Sequence, residues 1–445
     1  GAATNAAHNL PLAGNPREDA QAREAFNAGA AALFVPETEL ENALTILANH
    51  GQSRRSRESE HPMARRHPAS PQLPMPTWGP TEVSGSAMSA LDRWFVELVQ
   101  ANPQLRIRIG NPDELASNKM GATLALLKHR VNVPEPGVPE STDGSVVTAL
   151  NEEAVAAAAL ANKGGLNLIV SYEAFAVKML GLMRQEIIFA RRQKELGQPP
   201  GWISVPLIVT SHTWENSKNE QSHQDPTIGE ALLGEMSDTA RVLFPVDENT
   251  ACAALRAVYA SRGQVACVVV SKRDTPNHFS AAAAQSLIEH GAAHVAGDPS
   301  TAQLQFVAIG AYQLEEALKA HARLEHHELA SCITVVVEPG RLRIPRDELE
   351  AAFVLGDESL QALFPPHLPR VLISHTRPEP MLGVLRRIDS GPSKTRALGY
   401  INHGGTLDVA GMLIANRCTW VDAIYAAAQV TGWNSSQAAA AATDA

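Results

Sequence analysis

A chain of 445 residues has room for about two to three domains, which excludes a lone small module. Its 44% apolar and 19% charged residues are those of a globular protein, and no apolar run reaches the roughly 18 residues of a membrane helix. With 37 basic against 47 acidic side chains and a formal charge of -10, there is no global cationic field for a nucleic-acid backbone, so an anionic ligand must meet a local basic site. Neither a membrane nor a nucleic acid is expected as a partner. Cys252, Cys267, Cys332 and Cys418 are far apart, form no CxxC pair, and read as reduced core residues. The chain opens without a basic n-region or an apolar h-region, which sets the expectation of a cytoplasmic protein.

In chain order, Arg17–Phe34 and Glu37–His50 carry helical patterns, the second with Leu40, Leu44 and Leu47 on one face. Gln52–Pro80, rich in Arg, Ser, His and Pro, is too poor in large apolar residues to build a core and reads as a solvated linker. Residues 1–83 are thus expected to be lead-in helices and linker. From Ser84 to Pro276 helices alternate with short β-branched runs, the signature of parallel α/β architecture. The clearest unit is Ala240–Lys272: strand, turn, helix with Thr250 or Asn249 as N-cap, Gly turn, strand. Upstream, Trp202–Ser211 reads as a buried strand. Ala174–Arg192 reads as a helix whose Phe175, Met179, Met183 and Ile187 recur every four residues, most of that stripe being core. A second α/β set, residues 277–435, has candidate strands LQFVAIGA, CITVVVE and RVLISH, with helices at Gln313–Glu325 and Glu379–Ile388. The fold class is therefore α/β, two consecutive parallel or mostly parallel domains, and the Ser/Ala-rich residues 436–445 are expected to be a disordered tail.

The loop His212–Pro226 follows an apolar strand and crowds two His, two Asn, two Gln, a Lys and three carboxylates together. In open α/β sheets ligands bind beyond the strand C-termini, so this loop is a candidate site, although a solvated surface loop has the same composition. Here the sequence resembles a known family. NPDELASNK (Asn111–Lys119), LNEE (Leu150–Glu153), SYEAF (Ser171–Phe175), SHTWENSKNEQSHQDP (Ser211–Pro226) and LGYINHGGT (Leu398–Thr406) are similar, in identity and order, to phosphoketolases. The resemblance runs from about Pro103 to Ile424, and SYEAF and SHQDP are its most specific parts. Phosphoketolases are thiamine-diphosphate enzymes related to transketolases, with a diphosphate-binding domain first, then a pyrimidine-binding domain, then a C-terminal domain. The resemblance assigns residues 84–276 to the pyrimidine-binding type and 277–435 to the C-terminal type.

Such enzymes carry GDG, then an Asn about 25–30 residues later, to hold the metal bridging the diphosphate. Gly297-Asp298-Pro299 and Gly356-Asp357-Glu358 do not complete that motif and read as turns. No metal ligand is therefore expected in this chain. The resemblance implies that Mg2+ (or Ca2+) and the diphosphate are held by a second polypeptide with the GDG-type domain, with this chain as a homodimer inside a heterotetramer.

The resemblance also implies residue roles. Glu152 matches the Glu that contacts the aminopyrimidine ring, where a semi-buried carboxyl can protonate a ring nitrogen; on composition alone it is a surface Glu in an Ala-rich helix, and Glu153 is the neighbouring alternative. Tyr172 and Phe175 match aromatic positions near that ring. Ser117, Lys119, Asn216, Lys218, Asn219 and Lys272 match positions around the sugar phosphate, whose dianion needs several donors. His223, and less firmly His212, match acid/base positions. Lys119 replaces the family's usual Arg, and Asn216 and Lys218 its usual Gln and His. The implied reaction cleaves a ketose phosphate, with inorganic phosphate, to acetyl phosphate and a shorter aldose phosphate. Two alternatives are a thiamine-dependent ketol or acyl transferase and a non-catalytic scaffold that keeps the fold.

Overall fold

The computed structural model describes residues 14–50, 68–113, 115–210, 212–216 and 219–443. Two compact units divide the chain, one ending at His67 and one starting at Pro68. The first contains the helices Ala20–Ala32 and Glu37–His50, both where the periodicity places them. Asp19 caps the former, its Oδ1 accepting from the Gln21 and Ala22 backbone N–H groups at 2.8 and 3.1 Å.

The second unit is built on two sheets, whose strands in chain order are β1 (Ser84–Ser86), β2 (Arg106–Asn111), β3 (His129–Arg130), β4 (Glu140–Ser141), β5 (Val146–Thr148), β6 (Gly165–Tyr172), β7 (Val205–Thr210), β8 (Ala240–Leu243), β9 (Val265–Val269), β10 (Asp274–Pro276), β11 (Ala292–Ala296), β12 (Leu304–Ile309), β13 (Ser331–Val336), β14 (Arg370–Ser374) and β15 (Thr395–Leu398). The larger sheet has the order β4-β3-β5-β2-β6-β7-β9-β8, every neighbouring pair parallel. The smaller has the order β11-β13-β12-β14-β15, antiparallel only at β11. The short antiparallel pair β1–β10 flanks them.

The expected α/β class with mostly parallel sheets is what the chain adopts. The reason lies in the strands: β7 (VPLIVT) and β9 (VACVV) are buried along their whole length, as strands covered on both faces must be. Apolar layers run through both sheets, one containing Phe95, Leu255 and Phe306, the other Met183, Leu207 and Val307. No helix among the described residues is long and apolar enough to cross a membrane. All four cysteines are buried and unpaired, as expected; burial pushes the Cys252 thiol up to about 12 and the Cys332 thiol up to about 11.

Four expectations need correction. Part of the linker Gln52–Pro80 lies outside the described residues, but residues 68–80 belong to the large unit. The Gln72 backbone N–H and C=O pair with the Asn102 amide at 2.8 Å each, and Trp94 donates its indole N–H to the Pro74 carbonyl. Helix Glu248–Ala260 is capped by Asp247, in a capping box with Thr250, whereas Asn249 grips Gly79 on that same extended segment. The tail expected to be disordered contains a helix, Ser435–Thr443, with Ala438 and Ala441 buried against the core. The Phe175–Ile187 stripe is broken by a 3-10 turn, Val177–Met179; Met179, Met183 and Ile187 are core, but Phe175 is only half-buried.

Candidate functional site

In the large sheet all strands point one way, so the segments leaving their C-terminal ends share one edge. Five contiguous strands, β5, β2, β6, β7 and β9, deliver to it Glu152, Ser117, Tyr172, His223 and Lys272 in turn. Glu152 opens the helix Glu152–Leu160, which Asn151 caps through its side-chain oxygen on Ala154 N–H. A carboxylate is favoured at this position by the unsatisfied N–H groups of the first turn. Gly110 of β2 lets this helix approach: a Cβ there would lie 2.3 Å from the Val155 carbonyl oxygen. Of the two adjacent carboxylates Glu152 is buried and Glu153 exposed.

The aromatic groups converge beside it. Tyr172 and Phe175 stack with ring centres 6.1 Å apart, and the His223 ring stands edge-on to Phe175 at 4.6 Å. Ser222 Oγ lies 2.8 Å from His223 Nδ1. Lys272 Nζ lies 5.4 Å from the Tyr172 ring centre and donates to the Ser117 carbonyl at 3.3 Å, while Ser117 Oγ is 3.4 Å from Tyr172 Oη. Lys178 was not foreseen. Its Nζ is 2.9 Å from Glu152 Oε1 and 4.8 Å from the Phe175 ring centre, so it ties the carboxylate to the aromatic pair. The signal was present: Lys178 follows Phe175 by three residues, one turn on the same face.

The remaining sequence-derived positions behave differently. Lys119, at φ 59°, faces Asp274 at 3.7 Å, an exposed ion pair. Asn216 is buried, its carbonyl holding Gln224 Nε2 at 2.8 Å and its Nδ2 without a partner. Asn219 is exposed and accepts from Ser222 Oγ at 3.0 Å, and Lys218 lies outside the described residues. The two motifs SHQDP and LGYINHGGT pack on each other: Tyr400 donates to the Gln224 carbonyl at 2.8 Å, and the Gln224 amide pairs with Gly405 N–H and C=O at 3.0 and 2.9 Å. The smaller sheet thereby fixes the loop that carries His223.

His212 does not reach this rim. It lies in a buried polar cluster between the sheets with His375, ring centres 4.9 Å apart, and with Glu173, Glu215 and Tyr312. Glu173 accepts from Thr213 N–H and Oγ at 2.8 Å each and lies 2.8 Å from His375 Nε2. Burial alone would raise its carboxyl, but His375 and Thr213 bring it below the ordinary range; burial lowers His212, with Glu215 partly offsetting. These partners come from remote segments, which no local pattern pairs.

Around Glu152 the residues fit the ring end of thiamine diphosphate: a buried carboxyl at a helix start next to a half-buried aromatic pair. Among the described residues nothing comparable fits its diphosphate and metal. Asp298 closes its own turn by accepting from Ser300 N–H and Oγ, and Asp357 pairs with Arg387 at 2.6 Å.

Residues 89–261 match the family model for D-xylulose 5-phosphate/D-fructose 6-phosphate phosphoketolase. A probable phosphoketolase of Lactococcus lactis is 27% identical over 292 residues, 63% of this chain and 35% of that protein. One of Bifidobacterium animalis is 24% identical over 356 residues, 76% of this chain and 42% of that protein. The chain thus spans well under half the length of these curated relatives. In fold it matches transketolase from Leishmania mexicana, with a TM-score of 0.61 at 19% identity over 79% of this chain and 46% of that one. A split gene transketolase described as an inactive beta4 tetramer gives a TM-score of 0.52 at 17% identity, over 80% of this chain and 98% of that one. By sequence the chain is therefore similar to phosphoketolases over part of its length, and its fold is like that of the transketolases it matches.

Proposed function

We propose that this chain is one half of a phosphoketolase-like enzyme that works with a second polypeptide bearing a GDG-type domain. The observation that carries this reading is the convergence of Glu152, Tyr172, Phe175, His223, Ser117 and Lys272 at the ends of five adjacent strands. The partner is supported by the split transketolase, nearly all of whose length the match covers, and by the absence of a diphosphate site among the described residues. The chain acts as a homodimer within a heterotetramer, the partner holding Mg2+ or Ca2+. Ketose phosphate and inorganic phosphate yield acetyl phosphate, an aldose phosphate two carbons shorter, and water.

Thiamine diphosphate, when bound, supplies the electron sink for carbon–carbon cleavage. Glu152 holds a proton toward its aminopyrimidine ring, and Tyr172 and Phe175 offer ring faces to it. Lys272, Ser117 and Lys119, with Asn216, Lys218 and Asn219 of the neighbouring loop, supply donors for the sugar phosphate, and His223 exchanges a proton with a substrate hydroxyl. Lys178 must release Glu152 when the ring arrives, a contact that cofactor binding exchanges for another.

That same ion pair favours a second reading, a scaffold subunit in which Lys178 permanently occupies the Glu152 carboxylate. Reconstitution with the partner, followed by an acetyl phosphate assay, separates the two. Glu152→Gln is expected to lower turnover by about 10²–10⁴-fold without changing assembly. Full activity of that variant would support the scaffold reading, and a requirement for a sugar acceptor instead of phosphate would support a ketol transferase. The isolated chain is expected to bind thiamine diphosphate weakly; tight, metal-dependent binding by calorimetry would contradict the division of labour.

A further inference from the structure

We propose that Glu173, His212 and His375 form a buried divalent-metal site of the zinc class between the two sheets. One donor atom from each of the three lies within 4.8 Å of the other two. The three side chains leave the ends of three strands: Glu173 follows β6, His212 follows β7, and His375 follows β14 of the smaller sheet. Two imidazoles and one carboxylate are the donor set that suits Zn2+ and the chemically similar Co2+, not the all-oxygen shell of Mg2+ or Ca2+.

The surroundings are built as those of a metal site are. Thr213 fixes one carboxylate oxygen of Glu173 by two hydrogen bonds, which leaves Oε1 turned to His375 Nε2. His212 Nδ1 accepts the Trp214 backbone N–H at 3.3 Å, a contact given up when that nitrogen takes the metal, and Nε2–H on the other side faces Glu215 Oε1 at 3.9 Å, beyond hydrogen-bond range. Glu215 is itself held by Ser271 Oγ, by Tyr312 Oη at 2.6 Å, and by the backbone N–H groups of Lys272 and Arg273 at 3.0 and 3.2 Å. A carboxylate anchored behind a metal-binding imidazole is the usual outer layer of such sites.

A separate observation points to the same place. Gln313 is fully buried, and neither its Nε2 nor its Oε1 has a partner. A Cβ on Gly310 would lie 2.4 Å from Gln313 Oε1 and 3.1 Å from His375 Cβ, so the amide and the histidine are neighbours. Thr210 Oγ, two residues before His212, is buried and unpartnered as well. Buried groups left without a partner are costly, and a water on the metal gives these groups one. Loading requires shifts of up to about 1.5 Å: donors of one tetrahedral ion stand about 3.3 Å apart, so the 2.8 Å Glu173–His375 contact opens slightly and donors as far as 4.8 Å apart draw in. The ion pins the two sheets together, and its role is structural.

The test uses the tag-free full chain, equilibrated with ZnCl2 or CoCl2, desalted and analysed for metal by mass spectrometry. The expected result is about one ion per chain, with visible cobalt bands from a low-symmetry site and a Zn2+-dependent rise in melting temperature. His212→Gln and His375→Gln are each expected to lower occupancy at least about tenfold and to abolish the thermal shift, while His326→Ala, on the surface, changes neither. Circular dichroism establishes that each variant is folded. Wild-type occupancy near zero, or occupancy that survives both substitutions, would overturn the proposal and leave an ordinary hydrogen-bonded Glu–His pair. Because metal content and melting are read without turnover, the result is independent of the proposed enzymatic reaction.

Discussion

Glu350 has no solvent exposure, yet it stays ionised because it accepts from Ser237 N–H, from Arg346 N–H and from the Arg346 guanidinium. Burial alone would raise its carboxyl, but these donors bring it from 4.5 down to about 2. A depressed carboxyl stabilises the fold above its unfolded value, and that contribution is lost as pH falls toward the folded one. The melting temperature is therefore expected to fall between about pH 4.5 and pH 2, and more shallowly in Glu350→Gln, which starts lower at neutral pH. Parallel curves for the two proteins would refute this assignment. The single-residue scale also shows where chemistry was readable in advance. Glu152, Tyr172, His223 and Lys272 were singled out by the motifs that resemble phosphoketolases, and the structure brings them to one strand-end edge. Glu173 and His375 were missed because they meet from distant segments, and Lys178 and Glu215 because only their local neighbours, not Glu152 or Tyr312, are near in sequence.

At the scale of elements, two polar side chains carry more structure than their position suggests. Asp247 accepts from Thr250 N–H and Oγ at 2.7 Å each to cap helix Glu248–Ala260, and its other oxygen holds the His278 and Phe279 N–H groups at 2.9 and 3.1 Å. Asp247→Ala removes the cap and strands buried donors, and is expected to cost about 2 kcal/mol or more by urea denaturation. A change below about 0.5 kcal/mol would mean that the cap contributes little. Asn102 is the second, pairing with Gln72 and with the Leu98 carbonyl. Asn102→Leu keeps the volume but frees the extended segment 68–80, which should then exchange its amide hydrogens faster and be cut sooner by protease. Unchanged protection there would show that Trp94 and Asn249 hold the segment alone. The segment's composition, poor in large apolar residues, reads as linker because its anchors are backbone groups, which composition does not record.

For the whole molecule, the two sheets from Pro68 onward share core and polar ties. Arg241 of β8 meets Glu338 through two charge-assisted bonds of 2.6 and 2.8 Å, and Trp214 donates its indole N–H to the His375 carbonyl at 2.9 Å. Their unfolding is expected as one cooperative transition, with tryptophan fluorescence and far-ultraviolet circular dichroism coincident. Two separated midpoints would indicate sheets that fold independently. The amino-acid order by itself determined the α/β class and the long buried strands β7, β8, β9, β12, β13 and β14, because buried parallel strands demand apolar runs. It also determined the likeness to phosphoketolases, carried by short motifs beside those strands. Only the tertiary structure decided that the Pro-rich segment docks, that Phe175 leaves the core for the rim, and that Lys178 pairs with Glu152. Only it gathered two histidines and a glutamate from distant strand ends into one buried cluster. Those outcomes depend on contacts between remote segments, whose geometry is set when the sheets pack and has no periodic trace along the chain.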